Sequence, residues 1–194
     1  MTEEPLLPHL QIIEVIDLLE AHEIPYALGG AITLVYWAEP RGTTDIDINI
    51  FLRASEAVRT FGLLSLLGIE IPAGAADEAR ARDQVRLPWG ETPVDLFFSF
   101  DPFHDSCLSR RVRTTFRGRD TWVLSAEDAV IFKVVFNRRK DWPDIEMILK
   151  TQGSSFDMEY AESWLTRMLG AEDRALLALR ELWAEVSTGA NPTA

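Results

Sequence analysis

Apolar residues recur every three to four positions in HLQIIEVIDLLEAH, residues 9–22, where Leu10, Ile13, Ile16 or Asp17, and Leu19 fall at helical spacing. The pattern predicts an amphipathic first helix, stopped by Pro25. Tyr26 to Leu28 then reads as a short strand running into Gly29-Gly30, and Ala31 to Ala38 has the content of a short buried helix closed by Pro40. Ile46 to Leu52 alternates partly and is rich in isoleucine, as a strand would be. Ser55 is a candidate N-cap for a helix over Glu56 to Leu67, with Gly68 at its C-terminal end. Two extended segments follow, Asp83 to Leu87 and Pro93 to Phe100, and the Pro88-Trp89-Gly90-Glu91 between them suits a hairpin. Val112 to Phe116 and Thr121 to Leu124 repeat that arrangement around Gly118.

From Ser125 onward the pattern is helical only. Ser125 and Asp128 have the spacing of a capping box, with Asp in place of the preferred Glu or Gln. Helices are predicted over 126–138, 143–151, 157–169 and 171–187, with breaks at Trp142-Pro143, Gly153-Ser154-Ser155 and Gly170. The fold class this implies is α+β: a mixed front over residues 1–124 and a helical region over 125–194 packed on it.

Composition narrows the class of protein. With 194 residues, 47% of them hydrophobic, the chain can bury a sizeable core without a staple. The single cysteine, Cys107, forms no internal disulfide and supplies no zinc set, which suits a reducing cytosol. The opening MTEEPLL is acidic where a secretory signal would be basic, and no apolar run approaches the roughly 18 residues of a membrane span, so a soluble cytoplasmic protein with no membrane partner is expected.

Charge is uneven. The net charge is −12, and the first fifty residues carry Arg41 as their single basic side chain against nine acids. Between 109 and 140 the sign inverts, with Arg110, Arg111, Arg113, Arg117, Arg119, Lys133, Arg138, Arg139 and Lys140. Such a stretch either holds a polyanion locally or forms a solvated strand edge and helix end.

Within the isoleucine-rich strand, Asp45 and Asp47 project from the same face, since residues i and i+2 of a strand do. Two carboxylates there repel. They are explained by a divalent cation between them, or by one acting as a cap and the other in a salt bridge. Oxygen-only ligands select hard ions, and Mg²⁺ is commonly held by one or two carboxylates plus substrate phosphates. Asp95 interrupts a second apolar strand made of Val94, Leu96, Phe97 and Phe98, and three carboxylates from adjacent strands form a cradle for two metal ions. Each also has a structural explanation: Asp45 capping a turn after Gly42-Thr43-Thr44, Asp47 pairing with Arg41, Asp95 bonding a neighbouring backbone.

Gly29-Gly30 lies where a strand turns into a helix, a place where backbone N–H groups attract phosphate, although such a pair also marks an ordinary turn. Neither GxGxxG nor GxxxxGK[ST] occurs. Lys133 sits inside the apolar run Val130-Ile131-Phe132-Lys133-Val134-Val135-Phe136 and needs a snorkelling path or an anion such as a γ-phosphate. Asn137, Lys140 and Asp141 fall close to the same helical face. His9, His22 and His104, the last placed in a loop, make no triad with a serine or cysteine.

Taken in order, Gly29-Gly30-Ala31, Pro40-Arg41-Gly42-Thr43-Thr44-Asp45-Ile46-Asp47, Asp95, Leu124-Ser125-Ala126-Glu127-Asp128 and Lys133 resemble the nucleotidyltransferase superfamily with a DNA polymerase β-like core. The similarity spans roughly residues 26–145 and points to the branch of abortive-infection toxins and minimal nucleotidyltransferases. It implies a mixed β-sheet core with flanking helices and a C-terminal helical segment. It implies transfer of a nucleoside monophosphate from an NTP to a hydroxyl of tRNA or protein, plausibly within a toxin–antitoxin or defence system, with a cognate antitoxin or toxin as a candidate partner whose existence the sequence does not disclose. In that scheme Asp45, Asp47 and Asp95 hold two Mg²⁺, Asp95 helps deprotonate the acceptor, and Gly29 and Gly30 hold the triphosphate. Lys133 meets the departing phosphates, with Arg41, Thr43 and Lys140 as further nucleotide contacts. Many relatives carry Gly-Ser where this chain has Gly29-Gly30, so a hydroxyl contact to phosphate is absent. An antitoxin-like binding module and an antibiotic nucleotidyltransferase are the alternatives.

Overall fold

The computed structural model describes residues 8–189, so the acidic opening over residues 1–7 lies outside them. In chain order the elements are α1 (Pro8–Ala21), β1 (Tyr26–Leu28), α2 (Leu34–Trp37), β2 (Ile46–Arg53), α3 (Ala57–Leu64), α4 (Ala75–Arg82), β3 (Gln84–Leu87) and β4 (Val94–Ser99). There follow α5 (Pro102–Arg110), β5 (Val112–Phe116), β6 (Arg119–Val123), α6 (Ala126–Phe136), α7 (Asp141–Gln152), α8 (Met158–Leu169) and α9 (Arg174–Gly189). Among the described residues, strands and helices are thus mixed to residue 123 and only helices follow, as the hydrophobic pattern predicts.

The chain divides into two compact units, one of residues 1–29 and 42–123, the other of residues 30–41 and 124–194. The first contains the whole six-stranded sheet, in the order β3-β4-β2-β1-β6-β5. β2 runs parallel to β4 and antiparallel to β1, while β3–β4 and β5–β6 are the two expected antiparallel hairpins. Period-two alternation sorts the faces. Ile46, Ile48 and Ile50 of β2 lie level with Val94, Leu96 and Phe98 of β4, and all six are 0–1% exposed. Helix α1 contributes Ile12, Val15, Ile16 and Leu19 to the core, spaced by three and four residues. Phe61 of α3 meets Phe98 edge to face at 6.2 Å.

Two helices of this unit depart from the sequence reading. α4, AADEARAR, has almost no apolar periodicity, and its support comes from Asp77 and Glu78 in the first turn with Arg80 and Arg82 in the last. α5 replaces the loop expected around His104: Asp101 caps it by accepting from the Phe103 and His104 amides, and Pro102 occupies the first turn.

The second unit is built around α6, whose Val130, Ile131 and Val134 are fully buried, with α7, α8 and α9 packed on it. Ser125 is its N-cap and accepts from the Asp128 amide at 3.1 Å, the predicted capping contact. The 30–41 segment is tied in by Trp37, whose Nε1 donates to the Leu124 carbonyl at 2.8 Å and whose carbonyl accepts from Gln152 at 2.9 Å. No helix among the described residues is long and apolar enough to cross a membrane.

Candidate functional site

The alternation that sends the isoleucines inward sends Asp47 to the opposite face. Asp47 is level with Asp95 in the parallel β2–β4 pair, and Asp95 is level with Arg86 in the antiparallel β3–β4 pair. Three neighbouring strands therefore carry a transverse row, Arg86-Asp95-Asp47, on one face of the sheet. Asp45 lies in the bend two residues before Asp47, with its Oδ1 accepting from Thr44 Oγ1 at 2.7 Å. Thr43 Oγ1 accepts from the Asp45 amide at 3.3 Å and closes the same turn. Sheet register thus brings the three sequence-identified carboxylates into one half-buried patch.

Arg86 was not among the residues expected from sequence. Its Nη1 donates to Asp95 Oδ2 at 3.0 Å, and its Nη2 stands 3.4 Å from Asp45 Oδ1. One guanidinium straddles two of the three carboxylates. Its side chain is 55% exposed against 23% for Asp45 and 19% for Asp95, so it lies over them from the solvent side. The only signal in the sequence was parity, Arg86 sharing a strand face with positions 84 and 88, and parity alone names no partner. Asn49, two residues beyond Asp47 on the same strand face, is 3% exposed, and its Oδ1 is buried without a hydrogen-bond partner.

The donor types suit Mg²⁺, being hard carboxylate oxygens. The arrangement does not form a metal centre: among the described residues no three acidic, histidine or cysteine side chains are gathered as metal ligands, and two of the carboxylates are engaged by Arg86.

The second unit contains a different charge cluster. Lys133, 4% exposed, donates from Nζ to Asp144 Oδ2 at 2.7 Å and stands 3.9 Å from Asp141 Oδ1. Arg41 grips the same Asp144 with two hydrogen bonds of 2.8 Å, one from Nε and one from Nη2. Arg138 holds Asp141 from Nε at 2.7 Å and from Nη2 at 3.2 Å. Burial pushes the Asp144 carboxyl up, but the hydrogen bonds and charges of Arg41 and Lys133 outweigh it and hold it below the usual carboxylate range. Lys133 therefore neither snorkels nor waits bare for an anion; a carboxylate four residues into α7 already neutralises it. Lys140 is exposed and immediately precedes α7.

The glycine turn differs from the expected helix start. Gly29 spends its amide on the Asp47 carbonyl at 2.9 Å. Gly30, at φ +55°, begins a 3₁₀ turn of four residues, and the α-helix after it has only four more, too short for a substantial dipole. Two arginines of the 110–119 stretch meet carboxylates. Arg113 pairs with Asp120 at 2.9 Å and Arg119 with Asp17 at 3.6 Å, while Arg111 donates to the Tyr26 carbonyl at 3.0 Å and lies 4.2 Å over the Trp122 ring.

The mixed α+β fold is similar to that of solved nucleotidyltransferases. Among solved structures, ANT(2'')-Ia in complex with adenylyl-2''-tobramycin is similar over 94% of this chain and 98% of its own, with a TM-score of 0.50 and 13% identity. The lincosamide antibiotic adenylyltransferase LnuA, lincomycin-bound, is similar over 72% of this chain and 94% of its own, with a TM-score of 0.50 and 16% identity. A protein of H. pylori described as a candidate nucleotidyltransferase is similar over 97% and 93%, with a TM-score of 0.52 and 13% identity. At such identities the likeness is one of fold. No family model and no curated protein matches the chain.

Proposed function

We propose that the protein transfers a nucleoside monophosphate from an NTP to a hydroxyl, using Asp45, Asp47 and Asp95. The observation that carries this reading is the register of β2 and β4, which sets Asp47 level with Asp95 while Asp45 stands two residues before Asp47. A row of carboxylates on a sheet face costs charge repulsion, and the structure offsets it with one half-exposed arginine. Retaining such a row is explained by chemistry at phosphate. Asp95 takes the role of accepting the proton of the attacking hydroxyl, and Asp45 and Asp47 take the nucleotide side, where carboxylates would need a cation between them and the triphosphate. In the conformation seen, Arg86 supplies the positive charge over two of the three.

The toxin–antitoxin setting and its macromolecular acceptor belong to this proposal too. Between tRNA and protein, the pairing of Arg113 with Asp120 and Arg119 with Asp17 on a chain of net charge −12 favours protein, since a polyanion gains little from neutralised arginines. ANT(2'')-Ia and LnuA, which share the fold, keep hydroxyl-bearing antibiotics as a third acceptor class to test.

The test incubates the protein with each of four α-labelled NTPs, Mg²⁺, and in turn total tRNA, cell protein, an aminoglycoside and a lincosamide. Label in one acceptor pool, reduced at least a hundredfold by Asp47→Asn, is the expected result. Induced expression should slow growth with wild type and not with Asp47→Asn. Absence of label from every NTP in every pool overturns the reading.

A further inference from the structure

We propose that β5 is a docking edge, on which an extended acidic peptide of a partner protein adds as a further strand of the six-stranded sheet. The inference goes beyond the transferase reading and stands whether or not the protein transfers a nucleotide.

The sheet leaves its two edges in different states. β3 ends one side, and there the segment before α4 comes up against it: the Glu70 amide donates to the Pro88 carbonyl at 3.0 Å, directly after the strand, and α4 packs on β3. β5 ends the other side, with β6 packed on its inner flank. An edge strand presents main-chain N–H and C=O groups outward, and proteins commonly blunt such an edge with proline, a bulge or a covering element. β5 has neither proline nor bulge: Val112 to Phe116 pair with β6 over five consecutive residues without a shift of register. That is about 17 Å of regular strand, enough for main-chain pairing with a peptide.

Side chains select the occupant. Val112, Thr114 and Phe116 share one face of β5 and are half-buried, a shelf that apolar or β-branched residues of an added strand would extend. Arg113 stands on the opposite face, and Arg117 follows at the turn with φ +46°. The run 110–119 holds five arginines and no acid. Arg113 meets Asp120 at 2.9 Å, but the two side chains are 60% and 63% exposed, so the pair is weak and exchanges readily for a peptide carboxylate. The pattern that fits is alternation, with acids over Arg113 and Arg117 and apolar side chains beside Val112, Thr114 and Phe116.

An RNA fits this edge less well. It has no peptide groups to continue the ladder, so its affinity would rest on charge alone, against a chain of net charge −12. A peptide draws affinity from the main chain and uses the arginines for sign and register. Its few charges respond chiefly to the arginine stretch, because fields from the rest of the chain are screened over about 8 Å.

The test uses the full chain and two fluorescein-labelled, end-capped peptides, one alternating glutamate with valine and the other lysine with valine, read by anisotropy. Wild type should bind the glutamate peptide about tenfold more tightly than the lysine peptide. Arg113→Glu/Arg117→Glu should reverse that order, and its gain of lysine-peptide binding shows in the same measurement that the variant is folded. Amide hydrogen exchange reads the main chain: on saturation with the glutamate peptide, alternate amides of β5 should slow about tenfold, which a purely ionic contact would not produce. No saturable binding of the glutamate peptide, equal binding of both peptides by wild type, an order left unchanged by the double variant, or binding without slowing of any β5 amide each overturns the proposal. Slowing of those amides by total tRNA and not by the peptide makes the edge an RNA site and overturns it equally.

Discussion

Replacing Lys133 with methionine separates two accounts of a lysine set in an apolar helix. Methionine keeps most of the stem's volume and removes the charge. If Lys133 served only an incoming phosphate, its removal from Val130, Ile131 and Val134 would leave stability unchanged or raise it. The structure argues the reverse. Nζ lies 2.7 Å from Asp144 Oδ2, both side chains are about 5% exposed, and Asp141 is 3.9 Å away at 1%. Losing one partner of a buried pair costs about 3–5 kcal/mol when the survivor is left alone. Here Asp144 keeps Arg41 and Asp141 keeps Arg138, and those arginines are 41% and 49% exposed and screened by water. The loss therefore falls to about 2 kcal/mol, which at a urea m-value of about 2 kcal/mol/M lowers the unfolding midpoint by about 1 M. Circular dichroism and tryptophan fluorescence should be followed together, so that coincident transitions license a single free energy. The double variant Lys133→Met/Asp144→Asn should cost less than the sum of the two single changes, because the charge that Asp144→Asn removes has already lost its buried partner. A midpoint equal to or above that of wild type, with native spectra, refutes the reasoning.

Asp144 also makes a pH prediction. Its folded carboxyl is held below its ordinary 3.8, so it adds stability that is fully present above that value and is lost as pH falls through the depressed folded value. Thermal melts taken from pH 6 downward, about the ordinary carboxylate range, should show a shallower acid loss in Asp144→Asn than in wild type. Tyr26 makes the converse one: burial first, then the neighbouring Glu20 carboxylate, push its phenol well above 10.0, against an opposing hydrogen bond with Thr121. It therefore favours the folded state below pH 10.0 and gives that up as pH rises toward the folded value, so Tyr26→Phe should flatten the alkaline branch of the stability curve.

Local chemistry was legible from the chain wherever one element decides its own conformation. Ile46, Ile48 and Ile50 announce a strand with one buried face, Pro88 to Glu91 a hairpin, and Ser125 a helix start. α4 was missed because alanine and alternating charge leave no apolar period to read. α5 was missed although Asp101-Pro102 is a start signal in its own right, a cap followed by a residue with a preset φ. What the chain does not show is which charges meet. Lys133 and Asp144 stand 11 residues apart on two successive helices, and Arg41 reaches the same carboxylate from 103 residues away.

The carboxylate row depends on the same alternation that builds the core. A slip of one residue between β2 and β4 would turn Val94, Leu96 and Phe98, all 0% exposed, to the opposite face and bring Asp95 into the apolar layer beneath α1 and α3. Three large side chains would lose their burial, at about 1.5–3 kcal/mol each, and a carboxylate would be desolvated as well. No interaction available to Asp95 or Arg86 on the sheet surface approaches that sum, since a half-exposed ion pair contributes about 0–1 kcal/mol. The position of Asp95 beside Asp47 is thus enforced from the other side of the sheet.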